Sequence, residues 1–183
     1  MEVILAKAEK FANAAHEAVG QRRKHTGEPY IVHPVAVMKL VAAVPHTQAM
    51  LIAALLHDTV EDTEVSLADV EAEFGAEVSE LVGWLTDVSS PQDGNRTVRK
   101  AMDRAHTAKA PAAAKTVKLA DLIHNSECIV ANDPKFAPVY MAEKEQLLLV
   151  LKEGDPTLWG RAHALVEAYR LASRKLKPSR PYP

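Results

Sequence analysis

The chain has one cysteine, Cys128, so no disulfide can close within it, and nothing points to an oxidising compartment. Aromatic residues are sparse at 5%, and no aromatic–basic array of the kind that stacks nucleic-acid bases appears. No apolar run approaches the ~20 residues that a membrane-spanning helix needs. The amino terminus, MEVILAKAEKFANAAHEA, is charged throughout and lacks a signal-peptide core. Neither sign of charge dominates. The net charge is −2, too small for a global field that would gather nucleic acid or membrane, although basic residues cluster locally at Arg22-Arg23-Lys24 and at Arg174-Lys175-Leu176-Lys177. Strand patterning, internal repeats and low-complexity blocks are missing too. These absences leave a cytoplasmic globular protein with no nucleic-acid or membrane partner. Its 183 residues are enough for one domain with a substantial core.

What is present is helical period. Ile4, Ala8, Phe11, Ala15 and Ala18 share one face of a helix over 2–19. Residues 20–32, with Gly27 and Pro29, read as a loop. Pro34 suits a helix start, because its missing N–H is not needed there. Thr47 can cap a helix over 48–59, and Ser66 with Asp69 resembles a capping box whose helix ends at Gly75 in a left-handed cap. Another helix spans 76–87. The stretch 88–95, VSSPQDGN, reads as a loop, with a short hairpin around Asp93-Gly94 as an option. Helices follow near 95–109, 111–131, 134–153 and 155–175. The expected fold is all-α, one helical bundle over residues 1–175, with the proline-rich 176–183 as a flexible tail. An apolar helix face can serve the core or a second copy, so a homo-oligomer stays open.

One stretch is chemically odd. In LIAALLHDTVEDT, residues 51–63, an apolar run meets His57-Asp58 and then Glu61-Asp62. On a helix, residues four apart share a face, so His57 sits over Glu61 and Asp58 over Asp62. Several buried carboxylates repel one another, and a divalent cation removes the conflict. The plain alternative is a solvated helix end after a buried segment. His33, in GEPYIVHP, and Asp121, in VKLADLIHN, extend the pattern. Together with His57 and Asp58 they offer two imidazoles and two carboxylates from separate helices. That mixed set suits Mn²⁺, Fe²⁺ or Zn²⁺ better than Mg²⁺ or Ca²⁺.

GEPYIVHP, ALLHDTVEDT and VKLADLIHN, in this order, resemble the HD-domain hydrolases of the RelA/SpoT family. The resemblance covers about residues 4–170, and the length matches the stand-alone small alarmone hydrolases. It implies an HD-domain helical bundle and one Mn²⁺ per chain, with His33, His57, Asp58 and Asp121 as ligands. It implies that Glu61 and Asp62 orient and activate the attacking water. It implies that Arg23 and Lys24 lie near the nucleotide, with Arg23 against the base, that Asn125 contacts the nucleotide, and that Lys100 binds phosphate. The implied reaction removes the 3′-pyrophosphate of ppGpp or pppGpp, giving GDP or GTP and pyrophosphate. Two departures bear on substrate choice. Ser126-Glu127-Cys128 stands where long relatives carry a basic residue and a threonine, and His25-Thr26 differs from several relatives. Adenine alarmones, the 2′-phosphate of NADPH, and an inactive nucleotide-binding regulator are the alternatives. His124 is expected to pack or hydrogen-bond, not to ligate. His16, His46, His106 and His163 are expected to be surface or core residues, Trp84 and Trp159 core residues, and Cys128 a buried small hydrophobe.

Overall fold

The computed structural model describes residues 2–175 and is helical throughout. In chain order the elements are α1 (Glu2–Ala18), α2 (Val32–Ala42), α3 (Gln48–Leu56), α4 (Thr59–Asp62), α5 (Leu67–Phe74), α6 (Ala76–Leu85), a 3₁₀ turn (Pro91–Asp93), α7 (Arg96–Ala108), α8 (Ala112–Asn132), α9 (Ala137–Leu148) and α10 (Pro156–Lys175). Among the described residues there is no strand, only an isolated bridge between Arg22 and Pro29. The expected tail, 176–183, lies outside the described residues.

The centre of the bundle is α3. Thr47 caps it, its hydroxyl accepting the Met50 N–H at 3.2 Å. Every residue from Ala49 to Leu56 is buried. A helix that is apolar on all sides is satisfied only when surrounded, and α1, α2, α6 and α8 surround this one. Each fully buried leucine contributes roughly 1.5–3 kcal/mol, so Leu55 and Leu56, wholly buried, hold this helix end in place.

The helix stops three residues before the expected end at 59. Thr59 Oγ1 donates to the Leu56 carbonyl at 2.7 Å, and His57 Nδ1 lies 2.9 Å from the Ala54 carbonyl. Side chains thus take carbonyls of the last turn, and the chain pivots at Asp58 into α4. Gly75 divides α5 from α6. Its φ is +90° as the expected left-handed cap requires, but its ψ of 165° is extended, a combination open almost only to glycine. The hairpin option at Asp93-Gly94 is not taken. Asp93 instead accepts from the Ser90 N–H at 2.7 Å and from its hydroxyl at 2.8 Å, closing a 3₁₀ turn with Pro91 at its start. Proline has no N–H to give a ladder, so the turn is favoured over strand pairing. The helix expected over 134–153 is shorter at both ends.

α8 is the second long spine. Its placement is fixed where the 151–155 turn crosses it. A Cβ on Gly154 would come within 2.8 Å of Leu119 Cδ1, and the Asp155 N–H donates to Thr116 Oγ1 at 3.0 Å. This contact sets the height at which Asp121 faces α2 and α3.

Candidate active site

Three chain segments converge. His33 stands in the first turn of α2, His57 and Asp58 at the pivot after α3, and Asp121 in the middle of α8. The two imidazole Nε2 atoms lie 3.2 Å apart. Asp58 Oδ2 is 3.5 Å from His33 Nε2 and 3.2 Å from His57 Nε2. Asp121 Oδ1 is 3.3 Å and 3.7 Å from the same two nitrogens. His33, His57 and Asp58 form a group able to hold a metal ion, with Asp121 against both histidines. Both histidines are completely buried.

The surroundings fix what each atom offers. His57 Nδ1 donates to the Ala54 carbonyl, so its Nε2 lone pair faces the cluster. His33 Nδ1 is 2.7 Å from His124 Nδ1. Burial, then the nearby His33 and Arg23, push the His124 pKa down to about 4. His124 is therefore neutral and can accept the His33 N–H, which turns a second lone pair inward. Tyr30 donates its hydroxyl to Asp58 Oδ2 at 2.6 Å, and Asn125 Nδ2 donates to Asp121 Oδ1 at 2.6 Å. Burial and the Asp58 carboxylate push the Tyr30 phenol far above its ordinary range, so it stays a donor.

Two lone pairs and two carboxylates facing one another need a positive charge between them. Burial disfavours a charged His57, yet Asp58 and Asp121 overcome it and hold its pKa up to about 10. Burial likewise works to raise the carboxyls of Asp58 and Asp121, but the imidazoles hold both well below their usual range. A site this eager for a proton has the donor set and charge for a divalent cation, with nitrogen and oxygen donors mixed.

Glu61 and Asp62 make their hydrogen bonds outside the cluster. Glu61 Oε2 accepts the Asp87 N–H at 3.2 Å, and Asp62 Oδ2 accepts Gln21 Nε2 at 2.8 Å. Burial, then the Asp87 carboxylate, push Glu61 up to about 7, with Lys118 opposing. Burial also raises Asp62. Because α3 breaks at His57, the two pairs are not stacked on one continuous helix. Only α4 preserves the Asp58-to-Asp62 step, through a 3.0 Å backbone bond.

The other expected residues fall in different places. Arg23 Nη2 donates to Asn125 Oδ1 at 3.1 Å, making a chain Arg23–Asn125–Asp121. Lys24 is 77% exposed and pairs with Asp133 at 3.5 Å, not with a residue of the cluster. Lys100 pairs with Asp87 at 2.5 Å and Asp103 at 3.3 Å. Glu127, one of the departing residues, is turned toward Arg161 of α10 at 2.8 Å. Cys128 is partly exposed, not buried as expected, between exposed Glu127 and part-buried Ile129 near the end of α8. Trp84 and Trp159 are part-buried against the core, stacked on His106 and His163.

Five residues of the site escaped sequence reasoning. Tyr30 lies in the GEPYIVHP segment, three residues before His33. Lys118 lies one turn before Asp121, with its ammonium 3.7 Å from Asp121 Oδ2; both were within reach of a spacing argument. Gln21, Asp87 and His16 carried no local signal. His16 is buried, hydrogen-bonded to Gln21, with its ring tilted against that of Tyr30 at 4.5 Å between centroids.

Comparison with known proteins places the chain among relatives. A family model described as "HD domain" matches residues 8–147. The chain is 38% identical over 124 residues to a probable guanosine-3′,5′-bis(diphosphate) 3′-pyrophosphohydrolase of Synechocystis, a match over 66% of this chain and only 16% of that much longer protein. It is 40% identical over 124 residues to the Drosophila melanogaster guanosine-3′,5′-bis(diphosphate) 3′-pyrophosphohydrolase MESH1, covering 66% of this chain and 68% of that one. The solved structure of a metazoan ortholog of SpoT that hydrolyses ppGpp superposes with a TM-score of 0.81 at 28% identity, over 92% of this chain and 96% of that chain. The chain belongs to the HD-domain family, in its RelA/SpoT-type branch.

Proposed function

We propose that residues 1–175 form a Mn²⁺-dependent hydrolase that removes the 3′-pyrophosphate of ppGpp or pppGpp, giving GDP or GTP and pyrophosphate. The observation that carries this assignment is the cluster of His33, His57 and Asp58, a group able to hold a metal ion, with Asp121 Oδ1 3.3 Å from His33 Nε2. The similarity to ppGpp hydrolases supports the substrate. Among the described residues no helix is long and apolar enough to cross a membrane, and we place the reaction in the cytoplasm.

The four side chains would hold one Mn²⁺, which when bound supplies Lewis acidity toward a phosphate oxygen and acidifies water. The chain's own residues do the rest. Tyr30, His124 and the Ala54 carbonyl fix the ligands' orientation through second-layer hydrogen bonds. Glu61 takes the proton of the attacking water. It is held by the Asp87 N–H through one oxygen and keeps the other for that proton. A carboxyl pushed up to about 7 is well matched to accept a proton near neutrality. Asp62, tethered through Gln21 to His16, would help position that water. Arg23 presents a planar guanidinium for stacking on the purine, which lysine cannot offer, while Asn125 contacts the nucleotide and ties Arg23 to Asp121. Lys24 lies at the mouth of this region and Lys100 on the far side of Asp121, where each can screen phosphate charge.

The test is release of pyrophosphate from ppGpp by purified protein, metal-stripped and then reloaded with Mn²⁺, Zn²⁺ or Mg²⁺ in turn. Release with Mn²⁺ and a GDP product is expected. Folded, Mn²⁺-loaded protein that leaves ppGpp intact would overturn the assignment.

A further inference from the structure

Beyond Asp121, on the Lys118 side of α8, lies a cavity of about 70 Å³ between α7, α8 and α9. It shares a wall with the cluster. Lys118 lines it and reaches Asp121, and Asp87 lines it while its backbone N–H holds Glu61. Its charges are unevenly matched. The three carboxylates are all engaged. Asp87 takes Lys100, Asp103 takes Lys100 together with the N–H and hydroxyl of Ser89, and Glu143 takes Arg96 through two bonds of 2.6 and 2.9 Å. Lys118 is occupied by Asp121 and the Leu85 carbonyl at 3.2 Å. Two cations on the wall are left over. Among the described residues, Arg104 of α7 and Lys144 of α9 make no hydrogen bond or ion pair, and the Lys144 ammonium rests only over the Tyr140 ring at 4.7 Å.

Two unmatched cations line one small polar cavity, like charge beside like charge, and their donors have no protein partner among the described residues. Burial pushes Lys144 down to about 8, with Asp121 opposing and Lys118 and Lys100 adding to the effect. A multivalent oxyanion relieves both problems at once. Arginine offers a fork of N–H donors and lysine a compact point charge, a combination that matches a phosphate. Position selects which phosphate. On α8, Lys118, Asp121 and Asn125 follow one another along one side, so the cavity lies on the side of the cluster away from Arg23 and Asn125.

The geometry points to Arg104 and Lys144 as binding residues for a phosphate of the substrate other than the one attacked, seated in the cavity between α7, α8 and α9. The assignment rests on the alarmone-hydrolase function above. The shared chemistry is a terminal phosphate, which can come from the departing pyrophosphate or from the 5′-phosphate chain.

Calorimetric titration of inorganic pyrophosphate and, separately, of GDP into metal-loaded wild type, Lys144→Gln and Arg104→Gln tests this. Circular dichroism checks that each variant keeps its helical content, and Lys144→Arg serves as the conservative variant. Each Gln variant is expected to lose roughly tenfold or more in affinity, the scale of one charge-assisted hydrogen bond, while Lys144→Arg keeps most of it. Loss confined to pyrophosphate places the leaving group in the cavity, and loss confined to GDP places the 5′ chain there. Unchanged affinity for both ligands in folded variants, or no binding of either by wild type, overturns the assignment. Wild-type turnover of ppGpp is measured alongside. Turnover with unaltered binding sinks the cavity and leaves the function standing. Weakened binding without turnover does the reverse.

Discussion

Two concentrations of charge lie on α8 within about one turn of each other, built in opposite senses. Around Asp121, two imidazole nitrogens and two carboxylates face one another, with the Lys118 ammonium at their edge. In the cavity beside Lys118, each lining carboxylate already has a cation, and Arg104 and Lys144 are left over. A count of charged residues would not separate these regions. The sign of the charge left unmatched does, and it points to a cation in the first and an anion in the second. They are joined through Lys118 and through the Asp87–Glu61 contact, so a change in one is felt in the other.

The comparison can be broken most completely at Asp58. Asp58→Ala is expected to strip the bound metal and bring pyrophosphate release to background, as read by metal analysis after gel filtration and by product assay. Full metal content with normal turnover would contradict the cluster's role. Glu61→Gln cuts the other way. It should keep the metal and lower kcat by roughly 10²–10⁴, the range for lost acid–base help, and loss of metal in this variant would move Glu61 into the ligand set. Tyr30→Phe removes only the hydroxyl that holds Asp58. An outer partner of this kind is worth about 10–100-fold in metal affinity or activity, measured by competition with a chelator; an unchanged affinity would show that packing alone orients Asp58.

The smallest effect links the two regions. Burial and the Asp87 carboxylate hold Glu61 up to about 7, and Glu61 must be ionised to accept a proton. Activity is therefore lost as pH falls through that value. Asp87→Asn removes a negative neighbour, lowers the Glu61 pKa and shifts the acid limb of the kcat/KM profile to lower pH, by a fraction of a unit. A limb that stays in place would identify a different titrating group.

Much of this was readable in the chain. His57, Asp58 and Asp121 stood out because polar, metal-binding types follow apolar helical stretches, and His33 because it adds a second imidazole in GEPYIVHP. The caps at Thr47 and Ser66 were readable because their side chains act within three residues. The continuous helix through residue 59 was not a sound expectation. Its end depends on where His57 and Thr59 find carbonyls, a competition that periodicity does not register. The exposure of Cys128 and the turn at Pro91–Asp93 were likewise settled by neighbours and by local hydrogen bonds with no periodic signature.

From the order of residues alone came the all-α class, the helix-forming segments and the types of donor available for a metal, because these follow from local period and side-chain chemistry. Folding decided which of those donors face one another, that Tyr30 and His124 stand behind them, and that Arg104 and Lys144 share a cavity. Those facts join residues tens of positions apart, and only the packing of α2, α3, α7, α8 and α9 brings their atoms within reach.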